Sequence, residues 1–350
     1  MIIPEYLKPG CRIGVTAPSH PIDREPDRER FEHGAQKLKE RGYEVVFTPN
    51  VFAEADRFGR SASPKRKAEE LHSLIGEEQI RGIYSAAGGD FLAEMLPYVD
   101  LELAKRHPKW IQGYSDNTSL LYYLTTKGDI ATAYGANFGD FGMEPWDLSV
   151  LRGLQVLEGT CKVQNSFARY QDGFADRESA FDGYREDARV FWKCILGRKK
   201  AATGTDGEVR VRGRLLGGCM DVLLNLAGTR FDGTLEFIEK YREDRILWYL
   251  ESFALNMEQM MEGLWKMKVL GWFEHASGII FGRPLFYQTQ DWDGNLLPTY
   301  EEVLKERLHS LQIPVITGAD IGHKGPQFVM INGAMAEVAC KNGKGTVLYL

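Results

Sequence analysis

The sequence predicts an α/β protein with two domains, and three observations support this class. Short apolar strand signals alternate with helical stretches through about the first 140 residues, which is typical of a parallel sheet covered by helices on both faces. The chain has 350 residues, which is long for one compact domain. The composition changes after Cys161 and strand and helix signals return near Val209, so an irregular segment separates two ordered regions.

Residues 1–165 are predicted to form an N-terminal domain with a parallel sheet of the Rossmann or flavodoxin-like type. Its first helix is expected from about Asp27 to Arg41, where Gly42 acts as a stop. Ser63-Pro64 supplies the N-cap and first residue of a second helix. A third helix is expected over 118–126. The predicted strands are the short apolar runs 12–18, 44–48, 80–85, 110–114 and 130–134.

The remainder is interpreted as a linker and inter-domain loop, 166–205, followed by a C-terminal α/β domain, 206–350, with a strand-rich end. The linker prediction depends on a stretch rich in Asp, Arg, Gly, Ser and Phe that shows no clear period. A methionine stripe over 257–270 recurs at helical spacing and indicates core packing rather than a binding face. Strands are predicted near 209–218, 246–250, 277–281, 313–317, 328–331 and 346–350.

Composition excludes several classes of protein. The net charge is −6 and basic residues are scattered, which argues against nucleic acid as a partner. No apolar run approaches the roughly 20 residues that span a bilayer, and the start lacks the pattern of a signal peptide, so we expect a cytoplasmic protein without a membrane partner. The five cysteines have no close pairing, which fits reduced thiols rather than disulfides or a zinc site.

The sharpest local signal for chemistry is Gly113-Tyr114-Ser115-Asp116-Asn117, which joins a predicted strand to a predicted helix. A serine on such a turn exposes its hydroxyl above the strand ends, and the next N–H lies at a helix N-terminus, where it can stabilise an oxyanion. The motif is a partial nucleophile elbow because Asn117 replaces the usual second glycine. The alternative is that Ser115 and Asp116 only cap the helix.

Gly88-Gly89, directly after the third predicted strand, is a second candidate site. Paired glycines at the carboxyl end of a parallel strand let backbone N–H groups approach a ligand, whereas the alternative interpretation is a tight turn. The surrounding residues lack the Lys-Ser/Thr of a phosphate loop, and no G-x-G-x-x-G follows the first strand. A nucleotide-dependent oxidoreductase is therefore disfavoured.

A serine nucleophile requires a base and an orienting acid. His323 lies in a glycine-rich loop after a buried strand, where catalytic groups concentrate. Glu251 ends the apolar strand 247–250, an awkward position for a carboxylate without a partner. The chain order of Ser115, Glu251 and His323 is one known for catalytic triads, although the last two could also form a purely structural pair.

Taken as one ordered set, the motifs resemble the serine peptidases that include the LD-carboxypeptidases of peptidoglycan recycling and the microcin C self-immunity proteins. The resemblance runs nearly from end to end. It is carried by Leu7-Lys8-Pro9-Gly10, Ile13 to Ser19, Gly88-Gly89, Leu96-Pro97-Tyr98-Val99-Asp100, Gly113-Tyr114-Ser115-Asp116, Gly213 to Gly218, Gly228-Thr229, Leu250-Glu251, Gly278 to Gly282 and Gly322-His323.

The resemblance implies two α/β domains with the active site between them. It implies Ser115 as nucleophile, His323 as general base and then acid, and Glu251 as the residue that orients His323. It also implies an oxyanion hole made by the backbone N–H groups of Gly89 and Asp116. No metal or organic cofactor is expected, and homodimers are common in the family.

Departures from the family pattern bear on the substrate. LD-carboxypeptidases usually have Arg-Gly-Gly-Tyr-Gly where this chain has Ala87 to Phe91, Gly-Gly-Asn-Leu where it has Gly217 to Met220, and His-Gly-Pro where it has Tyr134 to Ala136. The long segment 166–205 and Trp192 resemble the microcin branch, in which a Trp stacks on a nucleotide. We therefore predict Gly88 and Trp192 as substrate-binding residues, with packing under the loop as the alternative for Trp192.

The predicted function is hydrolysis of an amide bond in a peptidyl- or aminoacyl-nucleotide, as in microcin C self-immunity. The alternative within the family is an LD-carboxypeptidase that acts on a murein tetrapeptide. The alternative from another class is a non-catalytic protein whose two domains close on a small molecule.

Overall fold

The computed structural model describes residues 1–197 and 207–350. Contacts within the chain divide it into two compact units. Unit 1 consists of Met1–Cys161, Ala175–Tyr184 and Phe328–Gly333, and unit 2 consists of Lys162–Phe174, Arg185–Gln327 and Ala334–Leu350. Each unit contains one large sheet with parallel strands at its centre, so the predicted mixed α/β class is confirmed.

Unit 1 contains a six-stranded sheet. Its strands are β1 (Arg12–Thr16), β2 (Glu44–Phe47), β3 (Ile80–Ser85), β4 (Trp110–Gly113), β5 (Thr132–Tyr134) and β14 (Met330–Asn332). They lie in the order β14-β5-β4-β3-β1-β2. Five strands are parallel, and the edge strand β14 pairs antiparallel with β5. The helices are α1 (Glu25–Glu40), α2 (Pro64–Gly76), α3 (Leu101–Arg106), α4 (Thr118–Thr126) and α5 (Leu148–Leu157).

The five predicted strands and three predicted helices of the N-terminal half are confirmed. Ser63 caps α2 by accepting a hydrogen bond from the Arg66 N–H at 3.3 Å, as its position before Pro64 predicted. The helix α1 begins earlier than expected, at Glu25, because Pro26 fits the first helical turn. The prediction did not include the short helix α3 or α5, which are capped by Asp100 and Asp147.

Unit 2 contains an eight-stranded sheet. Its strands are β6 (Val163–Asn165), β9 (Lys193–Leu196), β10 (Val209–Cys219), β11 (Ile246–Glu251), β12 (Ala276–Gly282), β13 (Val315–Ala319), β15 (Met335–Lys341) and β16 (Lys344–Tyr349). They lie in the order β6-β16-β15-β10-β11-β12-β13-β9. The four strands β10 to β13 are parallel, and the other pairings are antiparallel. The helices are α6 (Met220–Leu226), α7 (Thr234–Lys240), α8 (Met257–Val269) and α9 (Tyr300–Leu308).

Two parts of the structure cross the domain boundaries that composition predicted. The strand β14 lies within 206–350 in sequence but completes the sheet of unit 1, where it covers the otherwise open edge of β5. The predicted linker is divided, because 166–174 and 185–197 pack in unit 2 and 175–184 packs in unit 1. Two short strands within it, β7 (Arg169–Tyr170) and β8 (Ala188–Arg189), pair with each other. Residues 198–205 of the predicted linker lie outside the described residues.

In the described part of the chain, no helix combines the length and the apolar character that crossing a membrane requires. The predicted methionine stripe on α8 does pack in the core, since Met260 and Met267 are fully buried.

Candidate active site

Ser115 lies on a strained turn at the carboxyl end of β4. After Gly113 the backbone is extended at Tyr114, and Ser115 then adopts a left-handed conformation with φ of 64°. The turn continues as a single 3₁₀ turn, Ser115–Asn117, into α4. The Ser115 N–H donates a hydrogen bond to the Tyr134 hydroxyl at 3.2 Å. This strand–turn–helix geometry is the one that a nucleophile elbow requires.

The Gly88-Gly89 pair lies directly against this turn. A Cβ atom added to Gly88 would stand 2.9 Å from Ser115 Cβ and 3.1 Å from its Oγ. Gly89 has φ of +141°, and a Cβ atom there would stand 2.8 Å from the Ser19 hydroxyl. The structure therefore brings together the two motifs that the sequence singled out separately, and both positions have room for glycine alone.

Asn117 stands where the elbow motif usually has its second glycine, and its side chain makes hydrogen bonds within the turn. Its side-chain amide donates to the carbonyls of Ala87, at 3.0 Å, and Tyr114, at 2.9 Å. The amide thus joins the glycine loop to the serine turn, which a glycine could not do.

The Asp116 side chain performs a task that the sequence did not indicate. Its Oδ2 accepts hydrogen bonds from the Ser19 hydroxyl at 2.6 Å and from the Leu92 N–H at 3.0 Å. Burial raises the pKa of Asp116 to about 6, and these two hydrogen bonds and the nearby Lys67 ammonium only partly oppose that rise. The carboxylate therefore ties the loops that follow β1 and β3 to the serine turn. Sequence reasoning missed it because Ser19 lies 97 residues away.

Glu251 and His323 form a buried pair in unit 2. Glu251 is the last residue of β11 and fully buried, and its Oε2 lies 2.9 Å from Nδ1 of His323, whose side chain is 5% exposed. Burial alone lowers the pKa of His323, but the charge and hydrogen bond of Glu251 outweigh it and leave that pKa raised. Gly322 makes the approach feasible, because a Cβ atom there would lie 2.4 Å from Oε2 of Glu251.

Neighbours that sequence reasoning missed surround this pair. Cys219 pairs with Glu251 in the register of β10 and β11, and burial raises the pKa of its thiol well above the usual range. Asp221 accepts hydrogen bonds from the Phe253 N–H at 3.0 Å and the Ala254 N–H at 2.9 Å, which fixes the loop after β11. The Phe253 ring then packs on His323, with 4.8 Å between the ring centroids.

Trp192 does not occupy the position that its predicted role needs. Its side chain is 1% exposed, and its indole N–H donates to Asp320 Oδ2 at 2.9 Å. A Cβ atom on Gly345 would lie 2.1 Å from the ring, so the strand β16 passes directly against the indole. The ring therefore has no face available to a nucleotide, and the structure corresponds to the packing alternative.

The candidate residues divide between the two units. Ser115, Gly88, Gly89 and Asp116 lie in unit 1, whereas Glu251 and His323 lie in unit 2. Unit 1 presents a serine hydroxyl beside glycine backbone, and unit 2 presents an imidazole oriented by a carboxylate. A serine hydroxyl and an imidazole oriented by a carboxylate are side chains that can serve as nucleophile and base in acyl transfer. Within 1–197 and 207–350, no group of three or more His, Cys, Asp or Glu side chains is placed to hold a metal ion.

Comparisons with known proteins point to one family. The model of the LD-carboxypeptidase N-terminal domain matches residues 13–135, and that of the LD-carboxypeptidase C-terminal domain matches residues 212–338. The microcin C7 self-immunity protein MccF of Escherichia coli is 28% identical over 347 residues, which cover 96% of this chain and 92% of MccF.

Solved structures show the same fold. A MccF-like protein from Bacillus anthracis has a TM-score of 0.80 at 23% identity, and the match covers 100% of both chains. MccF in complex with aspartyl sulfamoyl adenosine has a TM-score of 0.79 at 23% identity and covers 100% of this chain and 99% of its own.

Proposed function

Because the chain belongs to the LD-carboxypeptidase family and is a serine-type peptidase, we propose that it hydrolyses an amide bond through Ser115, Glu251 and His323. The observation that carries the proposal is the buried hydrogen bond of 2.9 Å between Glu251 and His323. That bond keeps a proton on Nδ1 of the imidazole, so Nε2 is the basic nitrogen. A base oriented in this way is what a serine hydroxyl needs in order to become a nucleophile.

The proposed reaction proceeds by acyl transfer. His323 Nε2 takes the proton of Ser115 as Oγ attacks the carbonyl carbon, and the oxyanion accepts hydrogen bonds from the Gly89 and Asp116 N–H groups. His323 then gives its proton to the leaving nitrogen as the C–N bond breaks. A water molecule, deprotonated by His323, attacks the acyl-enzyme and releases the carboxylic acid and Ser115.

The proposed substrate is an aminoacyl- or peptidyl-nucleotide amide. Three phenylalanine rings beside the proposed base support this class. Phe253 packs on His323, Phe286 lies 5.3 Å from Phe253 between centroids, and Phe174 lies 5.8 Å from Phe286. Phe174 is 69% exposed and Phe286 is 48% exposed. Exposed rings next to the group that protonates the leaving nitrogen suit a leaving group that carries a base, because bases stack on aromatic faces.

The reaction itself is tested by trapping the covalent intermediate. A fluorophosphonate probe is expected to label Ser115 in the parent protein, located by peptide mass spectrometry, and not to label the His323→Gln variant at a comparable rate. The Ser115→Ala variant is expected to lose turnover on the order of 10⁶-fold while keeping its fold. Labelling that persists unchanged in His323→Gln contradicts the proposed base. An unlabelled parent protein favours the non-catalytic binding alternative.

The substrate class is tested by comparing kcat/KM for aspartyl sulfamoyl adenosine, a dipeptide with the same scissile amide, and a murein tetrapeptide. Phe174→Ala is expected to weaken cleavage of the adenosine compound by about 1–3 kcal/mol in transition-state binding, since a stacking face is lost. The dipeptide is the internal control, because it has no base to stack. Preferred cleavage of the tetrapeptide, with no effect of Phe174→Ala, would instead favour the murein branch.

A further inference from the structure

The loop that carries His323, residues 320–326, is held by a buried set of polar side chains that the proposed reaction does not use. Arg283 follows β12 directly and is 7% exposed, Asp320 is fully buried, and Trp192 is 1% exposed. These three residues, here called the Arg283 network, join three separate segments of unit 2.

The guanidinium of Arg283 binds the His323 loop on both sides of the histidine. Its Nη1 donates to the carbonyl of Gly318 and to Oδ1 of Asp320, both at 3.0 Å. Its Nη2 donates to the carbonyl of Lys324, also at 3.0 Å. The Arg283 guanidinium therefore holds the chain before His323, at Gly318 and Asp320, and directly after it, at Lys324.

The other components complete the network. The Trp192 indole N–H donates to Oδ2 of Asp320 at 2.9 Å, so both oxygens of that carboxylate have a donor. The guanidinium also lies 4.2 Å from the centre of the Tyr170 ring, which covers its face. The loop is thus held through side chains that are themselves locked by packing.

Charge burial of this kind contributes little net stability. An ion pair removed from water loses most of its Coulomb gain to desolvation, and well-packed apolar residues would serve folding equally well. A planar fork with several donors does, however, fix geometry more sharply than an apolar contact, and a lysine cannot reproduce it. The network is therefore better explained as a means of holding the His323 loop in one position than as a source of stability for unit 2.

We propose that Arg283 is a positioning residue for the general base: together with Asp320 and Trp192, it holds the loop so that the imidazole stays on the Glu251 carboxylate. The inference rests on the proposed role of His323. It also reassigns Trp192, whose removal is expected to impair all substrates alike rather than nucleotide substrates selectively.

The test measures the titration of His323 directly, so that it does not depend on turnover. Glu251 and Asp221 are the carboxylates that act on this imidazole, and the adjacent Lys324 ammonium is paired with Asp172. If the loop moves, the hydrogen bond to Glu251 weakens and the pKa of His323 falls. The readout is the pH titration of the His323 ring signals by NMR in the full chain.

Two variants and a matched control define the experiment. In Arg283→Lys the pKa of His323 is expected to fall by about 0.5 or more, and kcat is expected to fall on the order of 10–100-fold with KM nearly unchanged. In Trp192→Phe both effects are expected in the same direction but smaller. The control is Arg214→Lys, because Arg214 is half-buried, ion-paired with Asp244 and stacked 4.0 Å from a tyrosine ring, Tyr241. It is expected to leave the His323 titration unchanged.

An unchanged His323 titration in both Arg283→Lys and Trp192→Phe overturns the proposal, whatever happens to turnover. If Arg283→Lys fails to fold, the titration of Trp192→Phe decides alone. A shifted titration in a protein that cleaves no amide substrate supports the network and contradicts the proposed function instead, so the two failures are distinguishable.

Discussion

Ser115 has a hydroxyl side chain that can react and a backbone conformation that residues other than glycine rarely adopt. Its φ of 64° lies in the left-handed region, which costs a residue with a Cβ atom about 1–3 kcal/mol. The surrounding hydrogen bonds hold it there, since its N–H donates to Tyr134 and Asn117 fixes the carbonyl of Tyr114. These hydrogen bonds therefore offset the free-energy cost of the left-handed conformation, while Ser115 keeps that conformation.

This strain predicts that glycine is more stabilising than alanine at position 115, the reverse of their order inside a helix. Ser115→Gly is expected to be more stable than Ser115→Ala by about 1 kcal/mol, because glycine adopts the left-handed conformation without a steric cost. Urea denaturation measures the difference. Ser119, one turn along in α4, is the control, since there alanine is expected to be more stable than glycine by about 1 kcal/mol. The same order at both positions would contradict the assignment of strain.

Individual side chains mark the limit of what the sequence could predict about the site. Ser115, Glu251 and His323 could be selected as candidates because each ends an apolar strand or follows one, where a polar residue is conspicuous. The Asp116 carboxylate was missed because its partners come from distant loops. Trp192 was misassigned because it lies in an irregular segment, and nothing local shows that β16 covers its ring.

At the scale of elements, the loops after the parallel strands bring together the candidate residues within each unit. The loops after β1, β3 and β4 meet around Asp116, and those after β11 and β13 meet at Glu251 and His323. Such convergence is expected of parallel strands, whose carboxyl ends share one edge of a sheet. Glycines allow the loops to approach closely, and Gly322 leaves less space for a Cβ atom than Gly88 or Gly89 does.

Gly322→Ala is expected to abolish activity and to destabilise unit 2. Its φ is +96°, and the new methyl group would meet Oε2 of Glu251 at 2.4 Å, so the Glu251–His323 hydrogen bond cannot persist. Gly228→Ala is the matched control, because Gly228 also has a positive φ of +83° but an added methyl group there would meet no atom of the described residues within 4 Å. It is expected to lose about 1 kcal/mol of stability and to keep its activity. Equal activities of the two variants would contradict this account.

Elements were predictable to the extent that their signals are local. Buried parallel strands appear as continuous apolar runs, which is why β1 to β5 and β10 to β13 were anticipated. Pairing between distant segments has no local signal. The strand β14 was expected as a strand, but its pairing with β5 in the other unit depends on an open sheet edge almost 200 residues earlier in the chain.

At the scale of the whole molecule, the raised pKa values of Asp116 in unit 1 and His323 in unit 2 are expected to act on stability in the direction opposite to the pH dependence of activity. His323 must be neutral to accept a proton, so kcat/KM is expected to fall as pH decreases through its raised pKa. The folded protein binds protons at His323 and Asp116 more tightly than the unfolded chain does. The stabilisation from His323 is complete below pH 6.5, the ordinary pKa of histidine, and is lost as pH rises through the raised pKa of His323 in the folded protein. The stabilisation from Asp116 is lost as pH rises from 3.8, the ordinary pKa of aspartate, through about 6.

As pH falls from 8 to 5.5, activity is expected to be lost, and His323 and Asp116 are expected to raise the thermal unfolding midpoint, whereas the lowered pKa of the half-buried His72 acts in the opposite direction. Steady-state kinetics and differential scanning calorimetry in the same buffers measure the two quantities. The double variant Asp116→Asn, His323→Gln lacks both titrating groups and is expected to show a flatter dependence of the unfolding midpoint on pH. Activity that stays constant from pH 5.5 to 8 would contradict the role of His323.

The pairing of β14 with β5 also sets the order in which a growing chain can complete the sheet of unit 1. During translation Met330, which pairs with Tyr134, emerges about 200 residues after Ser115 and β5. Tyr134, whose hydroxyl accepts the Ser115 N–H, pairs with Gly113 of β4 on one side, so it gains its second strand partner only when β14 has been made. A nascent chain stalled after residue 327 would lack the edge strand β14 of unit 1 as well as the antiparallel strands β15 and β16 of unit 2, so both sheets need the same stretch of chain to be completed.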